Sequence, residues 1–405
     1  MKKKIGIIGG GASGMVCAIV AAQGGCDVTL IEKNKKLGRK ILATGNGRCN
    51  ISNVDIGEHY YHGHHLSLVK ETLKHFSKHH VENFFAKLGL DLVCIEDGRM
   101  FPMSLQSSSV VAFLEDALLQ NGVKIKVDSN VKSLKYFSDK FIVLTDKEEL
   151  FFDKVVISSG SIAMPSLGSS SDGYSFAKSF GHKIYPAFPS LVQLVSDEKL
   201  LKRVSGVKID AILSAYVEKN LINEIRGDLL FTDYGLSGLA ILDISRGVVY
   251  GLSQGKSCVI KIDLLPDISI SSLKKLLQKK SQQFSSKKPA LWLNGILHQK
   301  LVYFILEKTN LSHVLKLQTK HLHALAYMIK NLSITIVDSR GAKGAEVMAG
   351  GISCDEIDRK TFMSKLQKDL YFTGEVLDVD GDRGGYNLHF AWASGYLAGK
   401  HLLLK

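Results

Sequence analysis

No two of the six cysteines form a CxxC pair, and none stands at metal-ligand spacing: Cys17, Cys26, Cys49, Cys94, Cys258 and Cys354 are scattered along the chain. That pattern excludes a disulfide framework, a zinc site and an iron–sulfur cluster, and it implies reduced thiols in a cytoplasm. Internal repeats and low-complexity segments are also missing. Beyond residue 26 no apolar run approaches the length of a membrane span. The start, MKKK followed by 22 uncharged residues, imitates the basic and apolar regions of a signal peptide. Seven glycines in that run point instead to a strand, a glycine turn and a helix. Acidic residues are outnumbered, 39 against 52 Lys and Arg, so the surface attracts polyanions or else reflects a lysine-rich proteome. The 405 residues, 45% hydrophobic and 22% charged, are those of a soluble globular protein with material for two or three domains.

Lys4 to Ile8 reads as a buried strand, GGGASG as a turn, Met15 to Gln23 as a helix and Asp27 to Glu32 as a second strand, together a βαβ unit. Residues 66–88 carry helical periodicity, and Val155 to Ile157 reads as a buried strand running into Gly160. From 189 to about 263 short runs alternate apolar and polar, as antiparallel strands do. Leucines and lysines then fall at helical spacing over 269–330 (SSLKKLLQKKSQQF, QKLVYFILEKT, KHLHALAYMIKN). The last 60 residues resemble the first domain more than the middle one. The expected division is a nucleotide-binding domain at 1–188 and 349–405, interrupted by antiparallel strands at 189–263 and 331–348 that flank a helical insertion at 264–330.

Gly9-x-Gly11-x-x-Gly14 lies between strand and helix, where a dinucleotide fingerprint must lie. Gly9 permits the turn, Gly11 lets the backbone approach a pyrophosphate, and Gly14 lets helix and strand pack closely, with the helix N-terminus toward the phosphates. Glu32, 18 residues beyond Gly14, can accept hydrogen bonds from an adenosine ribose, with Lys33 beside it.

Two further glycine clusters favour a flavin over a nicotinamide alone. LGRKILATGNGRCNISN (37–53) sets Arg39, Lys40 and Arg48 around Cys49, with Gly45 and Gly47 allowing close approach to a charged ligand. FTGE followed by GGYN supplies Gly374 and Glu375 for ribityl hydroxyls and Gly384 and Gly385 to open a helix. The N-terminal amides of that helix, running on through Tyr386, Asn387 and Leu388, face the place where charge collects on a reduced flavin. Cys49 either donates a proton to carbon while flavin delivers hydride, or packs as a small buried residue under the loop. Arg48 either orients a substrate carbonyl or phosphate, or pins the loop. There is no second dinucleotide fingerprint, so a nicotinamide binds transiently at the flavin face or electrons arrive from elsewhere. Thiol–disulfide exchange is not expected without a CxxC pair.

The segments GRKILATGNGRCNISN, DGRMFP, LFTDYGLSG and LYFTGEVLDVDGDRGGYNLHFAWASGYLAG resemble the BaiN/RdsA family of NAD(P)/FAD-dependent oxidoreductases, the YhiN-type flavoproteins, over nearly the whole chain. The resemblance implies an α/β fold: a glutathione-reductase-like, FAD-binding Rossmann domain interrupted by a β-barrel domain that carries a helical insertion. It also implies non-covalent FAD and NAD(P)H as electron donor. Position by position, Gly9, Gly11, Ser13 and Gly14 match the pyrophosphate loop, Glu32 the ribose acid, and Arg39 and Lys40 a cationic segment beside the phosphates or ribityl chain. Val131 matches the position whose backbone meets adenine. Gly374, Glu375 and Gly385 to Leu388 match the flavin end. Departures from the family pattern are Ser159, Ser161, Asp233, Leu239, Met348 and His389.

The resemblance implies two uses of one flavin: reducing uridine to dihydrouridine in ribosomal RNA, or acting on a small molecule such as a steroid enone or an amine such as aminoacetone. RNA is the first expectation, with Lys274, Lys275, Lys279, Lys280, Lys287 and Lys288 as a basic rim for phosphates. A third is a non-catalytic binding protein stabilised by FAD. Neither a metal nor a membrane is an expected partner.

Overall fold

The computed structural model describes residues 2–95 and 98–403; Asp97 of the DGRMFP motif lies outside them. The chain divides into two compact units, residues 1–188 with 346–405 and residues 189–345.

The first unit is built on a five-stranded parallel sheet. Its strands are β1 (Lys4–Ile8), β2 (Asp27–Ile31), β3 (Lys124–Lys126), β4 (Lys154–Ile157) and β5 (Leu370–Phe372), in the spatial order β5-β4-β1-β2-β3. Central strand β1 is covered on both faces, which explains why its sequence, KIGII, does not alternate. Helix α1 (Ala12–Gln23) packs on β1 and β2, and α2 (Tyr386–His401) packs against α1. Residues Ser13 to Ala21 of α1 are all buried, as a helix apolar on every side requires. The other face meets a three-stranded antiparallel sheet, Val131–Phe137, Lys140–Thr145 and Glu149–Phe152. A Cβ on Gly6 of β1 would lie 2.6 Å from the Phe152 ring, so only glycine admits that packing.

Helix α1 begins at Ala12, three residues earlier than the apolar pattern marks, because Gly11 caps it in an extended conformation and lets GASG join the first turn. The periodic stretch 66–88 is two helices, Ser67–His75 and Lys78–Lys87. The break falls at Ser77, whose side chain and His80 form a reciprocal capping box.

The second unit contains a seven-stranded antiparallel sheet. Its strands run in the order 332–336, 258–263, 208–217, 220–231, 235–237, 194–195 and 338–339. The two outermost strands are separated in sequence only by Val337, whose N–H donates to Val195 O at 2.9 Å. One continuous segment therefore supplies both edges, and the sheet closes into a barrel. The expectation that 189–263 holds only strands needs correction. Leu239–Ser253 is a 15-residue helix, whose run of Ile and Val (LAILDISRGVVYGLS) resembles a strand but buries Ile241, Leu242, Ile244, Val248 and Val249 on one stripe. Four helices, Ile270–Gln283, Pro289–Leu293, Gln299–Lys308 and Thr319–Lys330, are inserted between the paired strands 258–263 and 332–336. Lys330 ties the insertion back to Asp263 at 2.5 Å.

Candidate functional site

The glycine turn after β1 is locked by contacts that leave no room for side chains except where a ligand would lie. A Cβ on Gly14 would sit 1.9 Å from Gly9 O, and one on Gly9 would meet Ser158 O at 2.4 Å. At Gly11, the N-cap of α1, an added Cβ meets nothing within 4 Å. The same holds at Gly160, just beyond β4. Ser13 lies in the first turn of α1 and its hydroxyl reaches the Thr373 carbonyl at 3.4 Å.

Glu32 is buried, and most of its capacity is already used. One carboxylate oxygen accepts from Gly10 N at 2.8 Å; the other accepts from Asn34 N at 2.8 Å and Asn34 Nδ2 at 2.6 Å. Asn34 in turn accepts from Arg39 Nη1 at 2.9 Å, while Arg39 Nη2 donates to Ser166 O at 3.1 Å. Arg39 is thus committed to a loop-to-loop brace. Lys33 lies 4.0 Å from Asp172. Ser129 N donates to Glu32 O, which aligns the segment leading to Val131 with the ribose acid, and the buried Ser129 hydroxyl has no partner. Val131 itself is buried and opens the three-stranded sheet.

Lys40 and Glu375, both read as ligand contacts, are 335 residues apart in sequence and pair with each other at 2.5 Å. Glu375 also accepts from Ser161 Oγ at 2.7 Å and Met348 N at 3.1 Å. Ser161 and Met348, two of the departures from the family pattern, are therefore partners of this carboxylate. Gly374 N donates to Ser394 Oγ at 2.9 Å, tying the strand end to α2. Nearby Tyr174 holds a buried hydroxyl without a partner, and burial together with the charges of Glu375 and Asp378 raises its pKa well above the ordinary phenol range.

The loop 44–50 takes left-handed backbone at Gly45, Asn46, Gly47 and Cys49. Gly45, Gly47 and Arg48 are exposed. Arg48 donates to Gly45 O at 3.4 Å and stacks over the Phe101 ring at 5.3 Å, contacts that hold the loop. For Cys49, burial bears on the choice between proton donor and packing residue. Its side chain has no exposed surface and belongs to the main core, and burial pushes its thiol up to about 12, against a smaller lowering by Thr44. That burial favours packing over proton donation.

The loop and the last helix meet at Gly385, which has φ +103°. A Cβ there would lie 2.5 Å from Ser52 O and 2.9 Å from Asn50 Oδ1, an oxygen that is buried without a hydrogen-bond partner. Asn387 clamps the approach to α2, accepting from Gly381 N at 2.8 Å and donating to Gly381 O at 2.7 Å. Tyr386 stacks on Tyr60, with ring centroids 4.2 Å apart, and its carbonyl accepts from Tyr61 OH; Leu388 is half-buried. His389, wholly buried, donates from Nε2 to Phe76 O at 3.1 Å and accepts from Ser52 Oγ on Nδ1 at 2.9 Å. The carbonyl can only accept, so the tautomer follows from the geometry. Burial lowers its pKa to about 4.

These features fit FAD. Two helix N-termini supply partial positive charge suited to pyrophosphate and to a reduced flavin's N1 side, Gly11 and Gly160 leave open space, and the acid beside the first turn and the orphaned Asn50 Oδ1 and Ser129 hydroxyl can accept hydrogen bonds. Gly11, Ser13 and Gly14 would hold the pyrophosphate, Glu32 the ribose, and Gly385 to Leu388 the ring. Asn34, Asn50, Ser158, Thr373, Ser394 and Tyr174 were not singled out from sequence; only Asn34, two residues beyond the acid, and Asn50, inside the glycine loop, carried a local signal. Among the described residues no group of three or more His, Cys, Asp or Glu is placed to hold a metal ion, and no helix is long and apolar enough to cross a membrane.

The model of the HI0933-like protein Rossmann domain matches residues 3–401. Over 98% of each chain the sequence is 37% identical to a 3-dehydro-bile acid delta(4,6)-reductase of Clostridium scindens. It is 30% identical to a ribosomal RNA dihydrouridine synthase of Escherichia coli, over 98% of this chain and 97% of that one. Among solved structures, a 3-ketosteroid delta1-dehydrogenase from Sterolibacterium denitrificans superposes with TM-score 0.54 at 11% identity, covering 99% of this chain and all of that one, a likeness of fold alone.

Proposed function

The chain belongs to the HI0933-like family of FAD-dependent oxidoreductases, and on that premise we propose that it reduces a carbon–carbon double bond conjugated with a carbonyl, using NAD(P)H as donor. The observation that supports this reading is that full-length relatives named for unlike substrates share one acceptor chemistry. A 3-keto steroid unsaturated at carbon 4 is an enone, and so is uridine, whose C5=C6 bond is conjugated with the C4 carbonyl. In each case hydride adds at the far carbon and a proton at the carbon beside the carbonyl. FAD, when bound, would supply the hydride, with NAD(P)H as the proposed source of electrons. The chain's own part is to bind and orient: Lys40 and Glu375 hold the loop before the flavin end against the strand end after β5, and Asn387 fixes the entry to α2.

Uridine in ribosomal RNA is the favoured acceptor, because the insertion 264–330 concentrates the chain's positive charge, eleven lysines against Asp267 and Glu307. A small cyclic enone is the second reading, favoured by the 37% identity to the bile acid reductase. Mass spectrometry of ribosomal RNA from cells lacking the gene, with and without complementation, separates the two. Loss and restoration of dihydrouridine supports the RNA reading. An unchanged level, together with NAD(P)H oxidation driven by a steroid enone, moves the assignment to the small molecule; failure with both acceptors removes the reaction class.

A further inference from the structure

A cavity of about 180 Å³ opens in the helical insertion, lined by Lys280, Phe284, Lys287, Leu291, Trp292 and Gly295. It lies where Ile270–Gln283 gives way to the short helix Pro289–Leu293. Two features set it apart from a solvated helix face. The ammonium groups of Lys280 and Lys287 both gather on one ring, 5.6 and 5.1 Å from the Phe284 centroid. Neither has a carboxylate within ion-pair distance among the described residues, whereas Lys308 and Lys330 of the same insertion are paired with Glu198 and Asp263. Two like charges held around one ring repel each other, and an anion beside them offsets that cost. The apolar part of the lining is also accessible: Leu291 is 58% exposed. A bare phosphate has no use for a phenyl ring and a leucine, but a nucleotide has, since a base stacks on an aromatic face while its phosphates meet cations.

We propose that this cavity seats one nucleotide of single-stranded RNA, its base against Phe284 and its neighbouring phosphates on Lys280 and Lys287. This deepens the reading of ribosomal RNA as substrate and rests on it; the occupant follows from charge complementarity and from a half-buried ring beside the exposed Leu291. The cavity would hold a strand flanking the uridine that reacts.

The test uses the FAD-loaded protein and a fluorescent oligouridine 12-mer, with Trp292 as a second reporter, because Trp292 lines the cavity at 6% exposure and the chain's other tryptophan, Trp392, is wholly buried in the first unit. Phe284→Ala is expected to weaken binding about tenfold, and Phe284→Leu, which keeps apolar packing, nearly as much. Lys280→Gln with Lys287→Gln should reduce the slope of log affinity against log salt by about 1.4, two phosphates at ~0.7 each. Neutralising the exposed Lys132 and Lys135 of the first unit removes equal charge and should do much less. RNA should quench Trp292, and the quenching should vanish in Trp292→Phe. The proposal is overturned if both Phe284 variants bind like wild type, if the control pair costs as much affinity, or if heparin quenches Trp292 as RNA does. The two readings fail separately. Dihydrouridine formation indifferent to Phe284 overturns the cavity and leaves the RNA reductase standing. Binding at Phe284 with no uridine reduced leaves the cavity and overturns the reductase.

Discussion

Adding one methyl group at Gly395 should loosen the dinucleotide cradle from behind. Gly395 sits on α2 against the first turn of α1, and a Cβ there would lie 2.2 Å from Ser13 O, 3.0 Å from its carbonyl carbon and 3.1 Å from Cα. Every one of those atoms is backbone, so no side chain can swing aside. Restoring ordinary contact requires the helices to part by about 1.2 Å at that point. Overpacking of this kind costs roughly 1–3 kcal/mol, and alanine's better helix propensity returns about 1. With both partners rigid, a net loss of about 2 kcal/mol is expected, or a fall in Tm of about 4–8 °C for a unit of this size. Ser13 lies between Gly11 and Gly14, so the same shift tilts the amides that would face pyrophosphate, and FAD affinity should drop tenfold or more, about 1.4 kcal/mol. Thermal melts with and without FAD, alongside flavin fluorescence titration, read both effects. Gly399→Ala meets Val20 Cβ at 2.8 Å and Cys17 O at 3.0 Å, and should do less harm. Unchanged Tm and full FAD content in Gly395→Ala, or a larger effect at Gly399, would refute the reasoning.

Burial holds His389 neutral down to about pH 4, whereas the unfolded chain takes up that proton near 6.5. Its contribution to stability is therefore complete above about pH 6.5 and is lost toward pH 4, at up to ~1.4 kcal/mol per pH unit. His389→Gln can still accept from Ser52 and donate to Phe76, and urea denaturation at a series of pH values should show one proton less of this slope; an identical slope contradicts the assignment. Cys49→Ala should keep turnover within about twofold, where loss of a general acid would cost 10²–10⁴, and iodoacetamide should leave Cys49 unlabelled until the protein unfolds. Glu32→Gln sets an amide NH₂ against the donors of Gly10 or Asn34. It should lower Tm by the equivalent of roughly 1–3 kcal/mol even without FAD; an effect on flavin affinity alone would mean that Glu32 does not brace the loop.

The first βαβ unit was legible because its glycines are forced by backbone geometry that any reader of the spacing can infer: Gly14 must let Gly9 O pass at a distance no side chain allows. The helix at 239–253 was not, since its Ile and Val residues satisfy a strand's preferences as well as a buried stripe on a helix. Cys49 was ambiguous for a different reason. A thiol among cations suggests reactivity, and only three-dimensional placement shows that the backbone turns left-handed there and buries it.

Glu32 and Glu375, singled out as ligand contacts, already have protein partners, and lone-pair capacity decides what each can still accept. A carboxylate offers about four acceptor sites. Glu32 spends three on Gly10 and Asn34, and Glu375 spends three on Lys40, Ser161 and Met348. Each can accept one further hydrogen bond without giving up a partner, and Glu32 can do so only on the oxygen that faces Gly10 N. A single ribose hydroxyl fits that vacancy of capacity; bidentate capture of a ribose diol would require Asn34 to release the other oxygen. The acids therefore shape the cradle before they bind anything, and motif spacing registers the position of such a residue while leaving its protein partners, up to 335 residues away, to the fold.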